Sequence, residues 1–191
     1  MRKTSYILLL TALSLAACKD AKKEAPVMEN DAFETEMNAS EIKELHITLN
    51  AKSDSKVSGE VTFMEEDGEV SMHAMITGLT PGEHAIHLHE SSDCSAADGS
   101  SAGGHWNPTN QPHGKWGAEA GYHKGDIGNF TADENGNGMV MFSTNEWCIG
   151  CDDSNKNIIG KSVIVHAGID DYTTQPTGDA GGRVSCAGII E

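Results

Sequence analysis

Nine histidines occur in the chain, and five of them, His87, His89, His105, His113 and His123, stand with Asp126 inside forty residues. His166 stands alone further on. Imidazole is the commonest protein ligand for borderline metals, and its neutral form suits copper and zinc. His87 and His89 by themselves say little, because alternate side chains of any strand share a face. Five histidines and an aspartate spread through a stretch rich in Gly, Pro and Asn are not core filling. Residue type and crowding indicate a metal site, and the number of ligands indicates two metals. A structureless loop as long as residues 90–125 is uncommon in a compact domain unless functional. Metal ligation is expected to order it.

The N-terminus reads as a targeting segment. Arg2 and Lys3 supply a positive start, Ile7 to Leu13 a short apolar run, and Ala16-Ala17 small residues before a cleavage point. The run is too short to span a bilayer. Leu15-Ala16-Ala17-Cys18 is similar to a bacterial lipobox, whose cysteine is lipidated and becomes the first residue. The alternative is ordinary signal-peptidase cleavage, leaving Cys18 a free thiol. Five cysteines is an odd number for an exported chain. Setting Cys18 aside leaves Cys94, Cys148, Cys151 and Cys186, an even set in a disulfide-permissive compartment. Residues 19–40 are acidic, with few large apolar side chains, and read as a solvated tether to a domain at 41–191.

Loss of residues 1–18, which hold two basic and no acidic residues, takes the net charge from −16 to −18. Such acidity argues against nucleic acid as a partner, and against an anionic membrane surface held by charge. Lipid on Cys18 would be the membrane anchor, placing the protein in the cell envelope on a periplasmic or outer-membrane face. Lys19 is not the aspartate that commonly retains lipoproteins at an inner membrane, which favours the outer one.

From Glu44 the pattern turns to period two, in short runs at His46–Leu49, Val57–Phe63, Val70–Ile76 and Ala85–His89. Glu66-Asp67-Gly68 and Thr80-Pro81-Gly82 punctuate them as turns. Strands resume at Ile127–Phe130, Gly138–Phe142, Ser162–His166 and Arg183–Ile189, with Asp133-Glu134-Asn135-Gly136 as a hairpin turn. No helix of normal length is apparent. The expected fold is all-β, an antiparallel Greek-key sandwich or flattened barrel with long metal-binding loops. The eight methionines raise copper trafficking as an idea, but Met64, Met72, Met75, Met139 and Met141 lie at strand spacing and are expected to pack in the core.

Four segments carry a family resemblance. They are Gly82-Glu83-His84-Ala85-Ile86-His87-Leu88-His89-Glu90, Ala102-Gly103-Gly104-His105-Trp106-Asn107-Pro108, His123-Lys124-Gly125-Asp126-Ile127-Gly128-Asn129 and Gly178-Asp179-Ala180-Gly181-Gly182-Arg183-Val184-Ser185-Cys186. In this order, with Val165-His166 between the last two, the chain from about residue 44 resembles the copper/zinc superoxide dismutases. The resemblance implies copper held by His87, His89, His105 and His166, and zinc held by His105, His113, His123 and Asp126, with His105 bridging. Four imidazoles form a tetragonal nitrogen set, and three imidazoles with one carboxylate a closed tetrahedral one. The implied reaction is dismutation of superoxide, with His105 and Arg183 as catalytic residues, Arg183 meeting the anion.

Further roles follow from the same resemblance. Asp170, four residues after His166, would fix one copper and one zinc ligand; the adjacent Asp171 competes for that role. His84 would hold loop backbone, while His46 and His73, on alternating strands, read as solvated. Cys94 and Cys186 would form a disulfide closing a long loop, worth roughly 4–5 kcal/mol in the chain-entropy picture. Cys148-Ile149-Gly150-Cys151 leaves a local disulfide, a redox pair and an accessory metal site open, with the disulfide favoured. Strand patterning leaves monomer and homodimer open.

Two other functions compete with the enzyme: a copper-buffering lipoprotein on the same fold, and a structural or adhesion β-sandwich whose zinc stabilises a loop. The full ligand set with Arg183 argues against both. Between Asp171 and Gly178 the segment Tyr172-Thr173-Thr174-Gln175-Pro176 is neutral, where well-studied relatives carry a longer charged loop. Long-range steering of an anion is therefore expected to be weak. Dismutation rates measured across a range of ionic strength should change little; a steep fall with added salt would contradict this.

Overall fold

The computed structural model describes residues 42–190. The expected signal segment at 1–18, Cys18 and the tether at 19–40 lie outside the described residues. Period-two alternation decides which side chains enter the core. In the strand Glu69–Thr77, Val70, Met72, Ala74 and Ile76 are buried, while His73 and Met75 face outward. The strands are β1 (Lys43–Ala51), β2 (Ser58–Glu66), β3 (Glu69–Thr77), β4 (Gly82–His89), β5 (Gly128–Ala132), β6 (Gly138–Thr144), β7 (Ser162–His166) and β8 (Arg183–Gly188). Among the described residues the helical content is one 3-10 turn, Ser100–Ala102.

All pairings between strands are antiparallel, and the order β1-β2-β3-β6-β5-β4-β7-β8 closes into a barrel. β6 beside β3 and β7 beside β4 are the Greek-key crossings. Closure removes the exposed edges that an open sheet would offer to other chains. The β2–β3 hairpin turns on Asp67 and Gly68, both at positive φ (51° and 79°), the backbone required by a two-residue turn whose twist matches the strands. In the β5–β6 turn the Asp133 carboxylate accepts from the amides of Asn135 and Asn137 at 2.9 and 2.8 Å.

Leu49, Val61, Phe63, Val70, Met72, Ile86, Leu88, Val163 and Val165 are central members of the barrel core. The methionine expectation fails at four of its five positions. Met72 is 1% exposed, but Met64, Met75, Met139 and Met141 are 39, 62, 61 and 75% exposed. Parity is the reason: Met72 and Met75 are three residues apart and cannot share a face, and Met139 and Met141 flank the inward Val140. Alternation assigns residues to two faces, and the β-branched and aromatic set takes the inner one.

Phe63 is fully buried and packs against Trp147, with ring centroids 6.3 Å apart. Phe63→Ala should cost about 3–5 kcal/mol. Chemical denaturation should show this as a lowered midpoint at unchanged m-value.

Candidate metal centre

β4 and β7 are buried on both faces, unlike β1 and β3. Ile86, Leu88, Val163 and Val165 fill the barrel. The alternate residues His87 and His89 of β4, and Ile164 and His166 of β7, are buried instead by the loops laid over the outer face. Ile164 forms a small satellite core with Ala102, Cys186 and Cys94. The Cys94–Cys186 disulfide, with Cα atoms 5.8 Å apart, fastens the long loop 90–127 to β8 at that point. Backbone bonds fix its far end: Trp106 N donates to the Leu88 carbonyl (2.8 Å), Leu88 N to that of Gly125 (2.9 Å) and Gly125 N to that of Trp106 (3.0 Å). The loop is thus ordered by protein contacts as well as by whatever its side chains bind.

Two ligand sets result. His87, His89, His105 and His166 bring one ring nitrogen each within 4.8 Å of one another, and His105, His113, His123 and Asp126 do the same with one ligand atom each. All seven residues are buried, and His105 belongs to both sets. Its two nitrogens divide the work: Nδ1 lies 2.8 Å from Asp126 Oδ1, and Nε2 faces away with no partner. His89 donates Nδ1–H to the Gly103 carbonyl at 2.9 Å, and His166 Nδ1–H points to that of Gly181 at 3.3 Å. Their Nε2 atoms meet at 3.4 Å.

Among the described residues six buried side-chain N or O atoms have no hydrogen-bond partner, and four of them are His87 Nδ1, His105 Nε2, His113 Nδ1 and His123 Nδ1. Burying an unbonded ring nitrogen costs free energy, and these four atoms, two in each set, are suited by their chemistry to hold a metal. His113 Nδ1 and His123 Nδ1 lie 3.0 and 3.3 Å from the Asp126 carboxylate, without the alignment of a hydrogen bond. Four imidazoles in one set, and three with a carboxylate in the other, suit borderline divalent metals.

Asp170 joins the sets. Its Oδ2 accepts from His87 Nε2 and its Oδ1 from His113 Nε2, both at 2.9 Å, which leaves Nδ1 of each ring for a metal. Asp171 is exposed and caps Thr173 and Thr174 instead, so geometry favours Asp170 of the two candidates. Two residues that the sequence did not single out hold this region. Asn129 Oδ1 accepts from Asp170 N, and its Nδ2 donates to the Asp170 carbonyl, both at 2.8 Å. Gln175 grips the backbone of His113 at both N and O, each at 2.9 Å. Asn129 closes a motif already quoted, whereas nothing local marks Gln175. Gly178 passes so close to Asp170 and His113 that a Cβ would lie 1.9 Å from Asp170 Oδ1.

Arg183 pairs in register with His166 beside a β-bulge at Val165/His166, an irregularity that re-aims a side chain. Its Nη1 and Nη2 donate to the carbonyls of Gly99 and Gly103 at 2.7 Å each, so it shares the Gly103 carbonyl with His89. His84 is buried and bridges backbone, with Nδ1 2.9 Å from the His166 carbonyl and Nε2 2.8 Å from that of Thr80. His46 and His73 are exposed, as expected. Cys148 and Cys151 form a disulfide with Cα atoms 6.0 Å apart, which bears out the favoured reading. Beside it Trp147 donates to the Lys124 carbonyl at 2.8 Å, tying this staple to the ligand loop.

Without metal the protonation pattern is set by burial and pairing. Burial, opposed by Asp126, leaves His105 at about 4. Burial and neighbouring imidazoles hold His89 and His166 well below the ordinary histidine range. Burial also penalises charge on His113, but the close Asp126 carboxylate and the hydrogen bond to Asp170 outweigh it and push this ring up to about 9. The depressed rings stay neutral in the folded state while the unfolded chain takes up protons near pH 6.5. Metal-free stability must therefore fall as pH drops from about 6.5 towards 4. The contribution of His113 is already complete below pH 6.5 and does not offset the fall. Thermal melting of the metal-free protein should show a lower Tm at pH 5 than at pH 7; a Tm unchanged or higher at pH 5 would contradict it.

Comparison with known proteins agrees with the geometry. Residues 57–189 match the copper/zinc superoxide dismutase family model. The superoxide dismutase-like protein YojM of Bacillus subtilis is 29% identical over 195 residues, covering 100% of this chain and 97% of that one. A Cu-Zn superoxide dismutase of Deinococcus radiodurans is 29% identical over 189 residues, covering 94% and 91%. The crystal structure of a SOD-like protein from Bacillus subtilis has a TM-score of 0.68 at 29% identity, over 76% of this chain and 97% of its own. A double mutant of such a protein, with a tyrosine and a proline each replaced by histidine, gives the same TM-score at 32% identity. The family match covers both ligand sets, Asp170, Arg183 and Cys186, and the chain belongs to the copper/zinc superoxide dismutase family.

Proposed function

We propose that the protein dismutates superoxide to oxygen and hydrogen peroxide in the cell envelope, with copper in the all-imidazole set and zinc in the set containing Asp126. The observation that carries this reading is His105, whose two nitrogens face the two sets, one beside Asp126 and one without a partner. Copper held by His87, His89, His105 and His166 would supply the one-electron couple that dismutation of two superoxide ions requires.

The chain's own residues supply the rest. His105 Nε2 takes a proton from solvent between the two half-reactions and passes it to the reduced substrate oxygen, solvent supplies the second proton of hydrogen peroxide, and Nδ1 stays on the Asp126 side. A positioned acid of this kind contributes roughly 10²–10⁴-fold. Asp170 keeps the rings of His87 and His113 in one tautomer and orientation. Arg183, fixed to Gly99 and Gly103, presents a permanent positive charge beside His89 and His166 and draws the anion in locally. That local charge acts against the overall −16 of the chain. The neutral Tyr172–Pro176 segment is occupied in holding His113 and Asn129 rather than reaching for substrate.

Attachment through lipid on Cys18 is supported by the lipobox-like end of the N-terminal segment and by the two disulfides, which use the other four cysteines. Copper buffering on the same scaffold is the competing reading, and the SOD-like description of YojM keeps it in view. Turnover per bound copper, measured on the full chain loaded with copper and zinc and on His105→Ala at equal copper content, separates them. Rapid turnover in the parent, lowered by about 10²-fold or more in the variant, is expected. Stoichiometric copper uptake with little turnover in the parent would leave buffering.

A further inference from the structure

The outward methionines fall together rather than scattering. β3 and β6 place His73 opposite Met141 and Met75 opposite Met139, and all four side chains are exposed. Opposed Cβ atoms in an antiparallel pair stand about 5 Å apart, and alternate residues along one strand about 7 Å apart. Three thioethers and one imidazole therefore occupy one small rectangle of surface. A methionine side chain has three rotatable bonds and a polarisable sulfur, so the sulfurs can converge on a point that the backbone only outlines. Met64 of β2, opposite Ser71 of β3, stands diagonally from His73 within reach of the same rectangle. Glu60 lies opposite Met75 and is exposed, which adds a carboxylate beside a cluster otherwise without charge.

This face belongs to β1-β2-β3-β6, whereas the metal centre lies on the outside of β4 and β7 across the barrel. Its donors differ in kind as well as place. The centre offers imidazole and carboxylate, while the patch offers thioether, a donor that prefers soft cuprous copper over zinc, calcium or magnesium. An apolar role would be served as well by Leu or Val, and it would not call for an imidazole among the sulfurs.

We propose that His73, Met75, Met139 and Met141 form a surface site for Cu(I), separate from the centre and independent of the dismutase reading. Copper held there has no direct path to His87, because the packed barrel core lies between; the site takes up or exchanges reduced copper with the surroundings.

The test is an anaerobic Cu(I) titration of the full chain with its centre already filled with copper and zinc, against a chromogenic Cu(I) chelator. One further equivalent should be retained, and X-ray absorption should show sulfur neighbours at that copper. The variant Met75→Leu/Met139→Leu/Met141→Leu keeps the shape and removes the sulfurs. It should lose the extra equivalent while its Tm and its dismutation per copper stay at parental values. His73→Ala should weaken uptake at least tenfold. No extra equivalent in the parent, or equal uptake by the leucine variant, overturns the proposal. Equal retention of Zn(II) on this face would overturn the assignment to a soft metal.

Discussion

Two buried carboxylates organise this molecule. Asp126 and Asp170 are fully enclosed, each in contact with imidazoles from separate parts of the chain. An ionised carboxylate out of water is tolerated only when paired and hydrogen-bonded. Here His105, His113 and His123 surround Asp126, and His87 and His113 bind Asp170; these contacts hold both acids far below the usual carboxylate range against the opposing effect of burial. His113 touches both acids and is the hinge of the arrangement. The course of loop 90–127, the disulfide at Cys94 and the close pass of Gly178 all serve to bring these groups into one volume.

The barrel contributes a rigid frame and a difference between its two sides. On β4 and β7 the outer face is covered, so residues that would be solvated on an ordinary strand become buried members of the candidate ligand sets. On β1, β2, β3 and β6 the same alternation leaves the outer face open. The loops decide this: the layer fastened by the Cys94–Cys186 disulfide lies on the β4, β7 and β8 side of the barrel. A histidine in β4 and a histidine in β3 therefore differ completely in environment despite similar strand patterns.

Much of this was legible in the chain. Each alternating run corresponds to an observed strand, within a few residues at either end, because half-burial imposes a period of two. The Asp67-Gly68 turn was readable from its residues, since both must take positive φ. The ligand histidines stood out because imidazoles in such number inside loop sequence have no packing explanation. The methionines were misread, because parity separates two faces without saying which is inner when both carry apolar residues. Gln175 and Asn129 were missed as supports because amides that bond backbone leave no pattern in composition.

The sequence by itself determined the strand alternation, the turn positions and the chemical types at the metal centre, all consequences of local sterics and donor chemistry. Only the tertiary structure decided which nitrogen of each ring is free, that Asp170 and not Asp171 ties the two sets, and that Arg183 stands beside His166 and shares a carbonyl with His89. It also decided that four methionines face outward, three of them with His73 in one patch. These are relations between residues tens of positions apart, set by barrel closure and by loops packing on one side of it, and no local periodicity encodes them.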